Sequence, residues 1–333
     1  MRRMHKGLAW LAMAGLLAAT PAPAAVDVTA GTQDMPPVAA AFYAFWRQAY
    51  GRPFEEQERL WDRWIEAPHR GLYAAVVWER NQPSFDESKR HRQLQQRFAA
   101  YVELAPRIYL GVQNLQATLV AQTQRFRGLF PGADLQSPVE IVLAPNFDAK
   151  SGVLGDGRPV LVLAVDSLLL ERADLSIVLP HELFHLYHAE HAGIRNDGMM
   201  PGVDLTMPLF EEGLATYVSS QLAPGHTDGQ WLLQDDLGAI PPRRLAEIAR
   251  RFLADAHAKA IDAAHPETFR RWFNSGPAAY QQDLPNRAGY WLGLQLIRRM
   301  RRQYALAEIV AWSPAQAMQH SSATLQVLAA QSR

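Results

Sequence analysis

The chain predicts an α+β fold, predominantly helical, with a small β-sheet next to one conspicuous helix. Three observations carry this. From about residue 38 to 130 apolar side chains recur at helical spacing, as in Phe98, Tyr101 and Val102, then Ile108, Val112, Leu115 and Leu119. Two short runs, Val-Glu-Ile-Val-Leu at 139–143 and Val-Leu-Val-Leu-Ala-Val at 160–165, read as strands. From about residue 175 onward the helical period returns, with no internal repeat and no low-complexity run.

The elements follow in chain order. Residues 1–24 have the pattern of a signal peptide: Arg2, Arg3 and Lys6, then an apolar stretch, then small residues up to Ala24. The apolar stretch is shorter than the roughly 18–20 residues that span a bilayer, and no later segment is longer and uncharged, so no transmembrane segment is expected in the mature chain. Residues 25–37 read as a linker ending at Pro36 and Pro37. Residues 38–130 form an N-terminal helical region, interrupted at Pro53, Pro83 and Pro106. Its aromatics Phe42, Phe45, Trp46, Trp61, Trp64 and Trp78 read as helix-core packing. Residues 131–333 form the second region, with the two strands, a Gly-rich loop between them (Gly152, Gly155, Gly157) and a C-terminal helical lobe. That loop lacks the spacing of a phosphate cradle.

Composition excludes several classes. The 333 residues are 48% hydrophobic and 20% charged, an ordinary globular balance. Lys+Arg and Asp+Glu both number 33, so no net field recruits nucleic acid, and the cluster Arg298, Arg299, Arg301, Arg302 suits a helix C-terminus better. With no cysteine there are no disulfides, thiolate ligands or lipoprotein anchor, and any metal must use His and carboxylate. A leader without disulfides points to the periplasm or to secretion.

His181-Glu182-Leu183-Phe184-His185 carries the chemistry. Two His four residues apart on a helix lie about 40° apart around its axis, so both imidazoles reach one ion. Glu182, beside them, can take a proton from water activated there. Pro180 implies that the helix starts at 179–180 or bends there. A catalytic Zn2+ takes three protein ligands, so a third is needed downstream, and Phe210-Glu211-Glu212-Gly213-Leu214-Ala215 offers two carboxylates.

Here the chain resembles the gluzincin metallopeptidases. HExxH followed by a second helix with Glu in an E-G-hydrophobic-A context is the pattern of the aminopeptidase-like members and of uncharacterised bacterial zinc proteases. The resemblance covers roughly residues 139–220 and a later segment, Pro285-Asn286-Arg287-Ala288-Gly289-Tyr290. It implies a gluzincin-like catalytic domain with Zn2+ held by His181, His185 and Glu212, and Glu182 as general base toward a peptide or protein substrate. Glu211 is then an outer neighbour. The wide gap between His185 and Glu212 implies an inserted loop at 192–207. Gly213 and Ala215 would let the ligand helix approach the HExxH helix closely. Tyr290 is assigned to stabilise the oxyanion, with Tyr280, Tyr217 and Arg287 as competitors.

Two other readings stand beside this one. His188 and His191 extend the motif to metzincin ligand spacing, with Met199-Met200-Pro201 where a methionine turn could follow. That ligation through His191 requires a sharp turn at His188, where glycine would be favoured. A non-catalytic, metal-stabilised envelope binding protein is the other, although a structural site has no need of Glu182. Zinc-dependent hydrolysis of a non-peptide amide would look the same in sequence, and oligomeric state is not legible.

Overall fold

In the computed structural model the described residues are 35–83, 85–133, 135–191, 203–258, 266–274 and 281–331. The expected leader and residues 25–34 of the expected linker lie outside them. The helices include α1 (Pro37–Ala49), α2 (Phe54–Trp61), α3 (Glu87–Leu129), α4 (Val165–Glu171), α5 (Leu175–His191), α6 (Thr206–Leu222), α7 (Leu245–Asp255), α8 (Ala288–Met300) and α9 (Pro314–Ala329). One three-stranded sheet comprises β1 (Val139–Val142), β2 (Ala149–Val153) and β3 (Pro159–Ala164). The fold is therefore α+β and mainly helical. No helix among the described residues is long and apolar enough to cross a membrane.

The N-terminal aromatics pack as a core. Phe42 and Phe45 of α1, Trp61 of α2, and Phe98 and Tyr101 of α3 are buried, with ring centroids 5.0 Å apart for Phe42 and Tyr101 and 5.5 Å for Phe45 and Trp61. Each such edge-on pair adds about 0.5–1.5 kcal/mol beyond its buried area. Pro106 does not interrupt this region: α3 runs through it for 43 residues. The carbonyl a proline orphans is that of the residue four before it, here Val102, and both residues sit on the exposed face where water satisfies it. Val102, counted with the apolar face, is accordingly 55% exposed.

β3 is central, in the order β1-β3-β2, parallel to β1 and antiparallel to β2. Its residues Val160 to Ala164 are wholly buried, the signature of a strand covered on both faces. Gly152, read from sequence as loop, lies within β2, opposite Val160. Ala-Lys-Ser-Gly-Val has no strand pattern of its own; pairing with β3 imposes it. The glycine is required because a Cβ there would press on Val76. Gly157, with φ of 87°, makes the turn back into β3.

A buried polar knot joins α3, α4 and the segment after β1. Tyr101 Oη donates to Asp166 Oδ2 at 2.7 Å, and the Ala144 N–H donates to Asp166 Oδ1 at 2.9 Å. Arg97 Nη2 donates to Ser167 Oγ at 2.7 Å, and that hydroxyl donates to the Ala144 carbonyl. The segment so fixed leads to Asp148, whose charge is felt by Glu182.

α5 packs on α3, β2, β3 and α6. It starts at Leu175, a turn earlier than Pro180 suggested, because Asp174 caps it: Oδ1 accepts from Ser176 N at 2.9 Å and the carbonyl accepts from Ile177 and Val178 at 3.0 Å. Pro180 then sits inside the helix, buried. Ser219 Oγ of α6 donates to the Ile177 carbonyl at 2.7 Å and sets the two helices side by side.

Gly213 has a different partner from the one expected. It faces α8, not α5: a Cβ on Gly213 would overlap the backbone of Gly293, and one on Gly293 would overlap the Leu209 carbonyl and Gly213. One residue past Glu212, Gly213 is turned about 100° away from the face that carries the carboxylate. Gly213→Ala is expected to destabilise the protein by about 1–3 kcal/mol through this backbone clash, read as a lowered urea midpoint. An unchanged midpoint would show that the crossing can widen at no cost.

Candidate metal centre

Successive turns of α5 bring the His181 and His185 rings together, with Nε2 atoms 3.1 Å apart. From α6, Glu212 Oε2 lies 3.2 Å from His181 Nε2 and 3.5 Å from His185 Nε2. All three side chains are largely buried, and among the described residues they form a group able to hold a metal ion. The triangle fits that purpose. Bonds of about 2.0–2.2 Å at tetrahedral angles put ligand atoms roughly 3.3 Å apart. Glu211, next along α6, is buried but is not among the three converging donors.

The charges in this cluster are coupled. Burial works against a charged His185, but the carboxylates of Glu212, Glu182 and Glu211 outweigh it and hold the ring above the usual histidine range. Burial likewise opposes the Glu212 charge, and His185 and His181 overcome it, keeping the carboxyl well below the usual range. His181 is pushed down, first by burial. A cation entering the triangle must therefore displace the proton that His185 shares with Glu212.

Glu182 lies on the adjoining face of α5. Burial, with the negative charges of Asp148 and Glu212, lifts its carboxyl to about 7 against the opposing pull of His185. A carboxylate poised near neutrality is suited to accept and return a proton.

Tyr290 and Arg287 reach the same place from the start of α8. Burial, then the Glu212 charge, pushes the Tyr290 hydroxyl upward, so it stays protonated and can donate. The Arg287 guanidinium lies 4.1 Å from the centroid of the Tyr290 ring. Tyr217 is engaged elsewhere: its hydroxyl accepts from Arg301 Nε at 3.4 Å. Tyr280 lies outside the described residues, as do Met199, Met200 and Pro201. Asp148 and Glu171, which share the electrostatic surroundings of Glu182 and Arg287, were not found from sequence; nothing in the local pattern around either one marks it.

The metzincin arrangement is not formed. α5 continues through His188 without a left-handed residue, because His188 packs its ring on Phe184 and Phe210 at 5.0 and 6.1 Å. His191 is exposed at the helix end, and its Nδ1 donates to the Tyr187 carbonyl at 3.0 Å. Burial, with the His185 charge, holds His188 down at about 3, from an ordinary 6.5. It is neutral in the folded chain, whereas the unfolded chain takes up a proton near 6.5. Stability is thus expected to fall as pH drops from about 6.5 toward 3. His188→Leu should lose that part of the acid sensitivity, measured by urea unfolding at pH 7 and pH 5; an unaltered pH dependence would contradict the assignment.

A second His-carboxylate group, Glu58, Glu87 and His91, needs no ion. Arg90 Nη1 already donates to Glu58 at 2.7 Å and to Glu87 at 3.1 Å. Comparison of the chain with protein-family models, curated proteins and solved structures returned no match.

Proposed function

We propose that this chain is a zinc-dependent peptidase of gluzincin type, exported to the periplasm or beyond and acting on peptide or protein substrates. The observation that carries the reading is the triangle of His181, His185 and Glu212, with ligand atoms 3.1–3.5 Å apart, together with Glu182 beside it. Zinc bound there would act as a Lewis acid on water and on the scissile carbonyl. Two neutral imidazoles and one carboxylate leave such an ion a net positive charge and an open position, the ligand set of a catalytic site.

The residues then divide the work. Glu182 accepts the proton of the attacking water and passes it to the leaving amine, a shuttle that its acidity near 7 permits in both directions. Tyr290 donates its hydroxyl hydrogen to the oxygen on which negative charge grows. β2 is one of the two outer strands of the sheet, and α5 packs against it. The backbone groups of Ala149, Ser151 and Val153 on its far edge can take an extended peptide as an added strand and present it to the site.

The test is metal analysis of the purified mature protein with cleavage of a peptide library. About one zinc per chain and hydrolysis that a chelator stops are expected. A protein that takes up no zinc, or cleaves nothing with its zinc in place, would defeat the reading.

A further inference from the structure

Arg287 differs from Arg298, Arg244 and Arg251, each of which is paired with an acid. Arg298 forks onto Asp228 at 2.7 Å through both terminal nitrogens, and Arg244 and Arg251 both hold Asp283. Arg287 forms no ion pair among the described residues, although its charge is felt by His181, Glu182 and Glu171. Its guanidinium is stacked on Tyr290, which orients the fork without using its donors on an acid.

The backbone beneath it is unusual too. Arg287 adopts φ 62° and ψ 23°, a left-handed conformation that is costly for a residue bearing a Cβ. The surroundings impose it. Asp283 is clamped by Arg244 Nη2 at 2.6 Å and Arg251 Nη1 at 2.8 Å, Leu284 is buried, and the Asn286 carbonyl accepts from Gln234 Nε2 at 3.2 Å. A strained conformation held by so many neighbours concentrates at sites that bind or act. Here it delivers a guanidinium that is preoriented on Tyr290, forms no ion pair among the described residues, and is close enough for its charge to be felt by Glu182.

We propose that Arg287 is a specificity-determining residue that binds a carboxylate of the substrate, either the C-terminal carboxylate or an acidic side chain near the scissile bond. This rests on the peptidase reading. An Arg fork on a carboxylate makes two charge-assisted hydrogen bonds, stronger than neutral ones and selective for that planar group. Unlike Tyr290, which acts on the transition state, Arg287 would act on ground-state binding.

The experiment measures binding, so it does not depend on turnover. Zinc-loaded Glu182→Gln protein is titrated with four N-acetylated pentapeptide pools. They carry a C-terminal acid or amide, each with Glu or Gln at the centre. At least one carboxylate-bearing pool should bind about tenfold or more tightly than the doubly neutral pool. The acid-amide contrast and the Glu-Gln contrast tell which carboxylate is recognised. Adding Arg287→Asn, whose side chain tolerates the left-handed backbone, should abolish the preference, so that all four pools bind alike; Arg287→Lys should keep part of it. Equal affinity for all pools, no binding of any pool, or a preference that survives Arg287→Asn would overturn the proposal. Absence of zinc uptake or of cleavage by the wild-type chain would defeat the peptidase reading instead.

Discussion

Glu182→Gln is expected to keep about one zinc per chain and to lose hydrolysis by about 10²–10⁴-fold, the usual contribution of a positioned general base. Gln preserves the shape of the side chain and its hydrogen bonding, and removes only the oxygen that can hold a proton. Glu182 is close enough to Glu212 and Asp148 for their charges to be felt, and its acidity is lifted to about 7 by burial and by these carboxylates. Turnover of a cleaved library peptide and metal content measured on one preparation check the result. Wild-type activity in that variant would remove Glu182 from the mechanism, even if zinc were bound as expected.

The second large effect separates ligands. Glu212→Ala should weaken zinc binding by more than about a hundredfold, beyond the loss caused by deleting an outer partner of a ligand. The two histidines alone leave the ion mostly to water. His191→Ala should keep occupancy near one and activity near wild type, because His191 is exposed and bonded to the Tyr187 carbonyl at 3.0 Å. Zinc titration with a competing chelator reads both. Retention by the first variant together with loss by the second would favour the metzincin ligation, which the continuous helix α5 does not form.

What the sequence made legible was whatever depends on neighbours along the chain. His181 and His185 converge because four residues make roughly one helical turn, and Glu212 is marked by the resemblance of the Glu-Gly-Leu-Ala context around it to the gluzincin pattern. The central strand showed as an unbroken apolar run. What depends on distant partners did not show. β2 is a strand because β3 pairs with it, and α3 passes Pro106 because the carbonyl left free faces water. Gly213 was correctly read as a site of close approach, but its partner, Gly293, is 80 residues further on. The left-handed backbone of Arg287 is held by Asp283, Leu284 and Asn286 through contacts with residues 234, 244 and 251, and no local pattern announces that.

The contact of Gly213 with Gly293 has one more effect. It joins the helix that begins after Arg287 and carries Tyr290 in its first turn to the helix that bears Glu212, backbone against backbone, with no side chain between them to act as a cushion. Carboxylate, hydroxyl and guanidinium are thus mounted on one stiff bracket. Fluctuation of the outer layers changes how easily a molecule gets in, yet leaves the spacing among those three groups as it was. An inhibitor can therefore be built as a rigid ruler: a metal-seeking group at one end and an acid at the other, its length set once by the bracket.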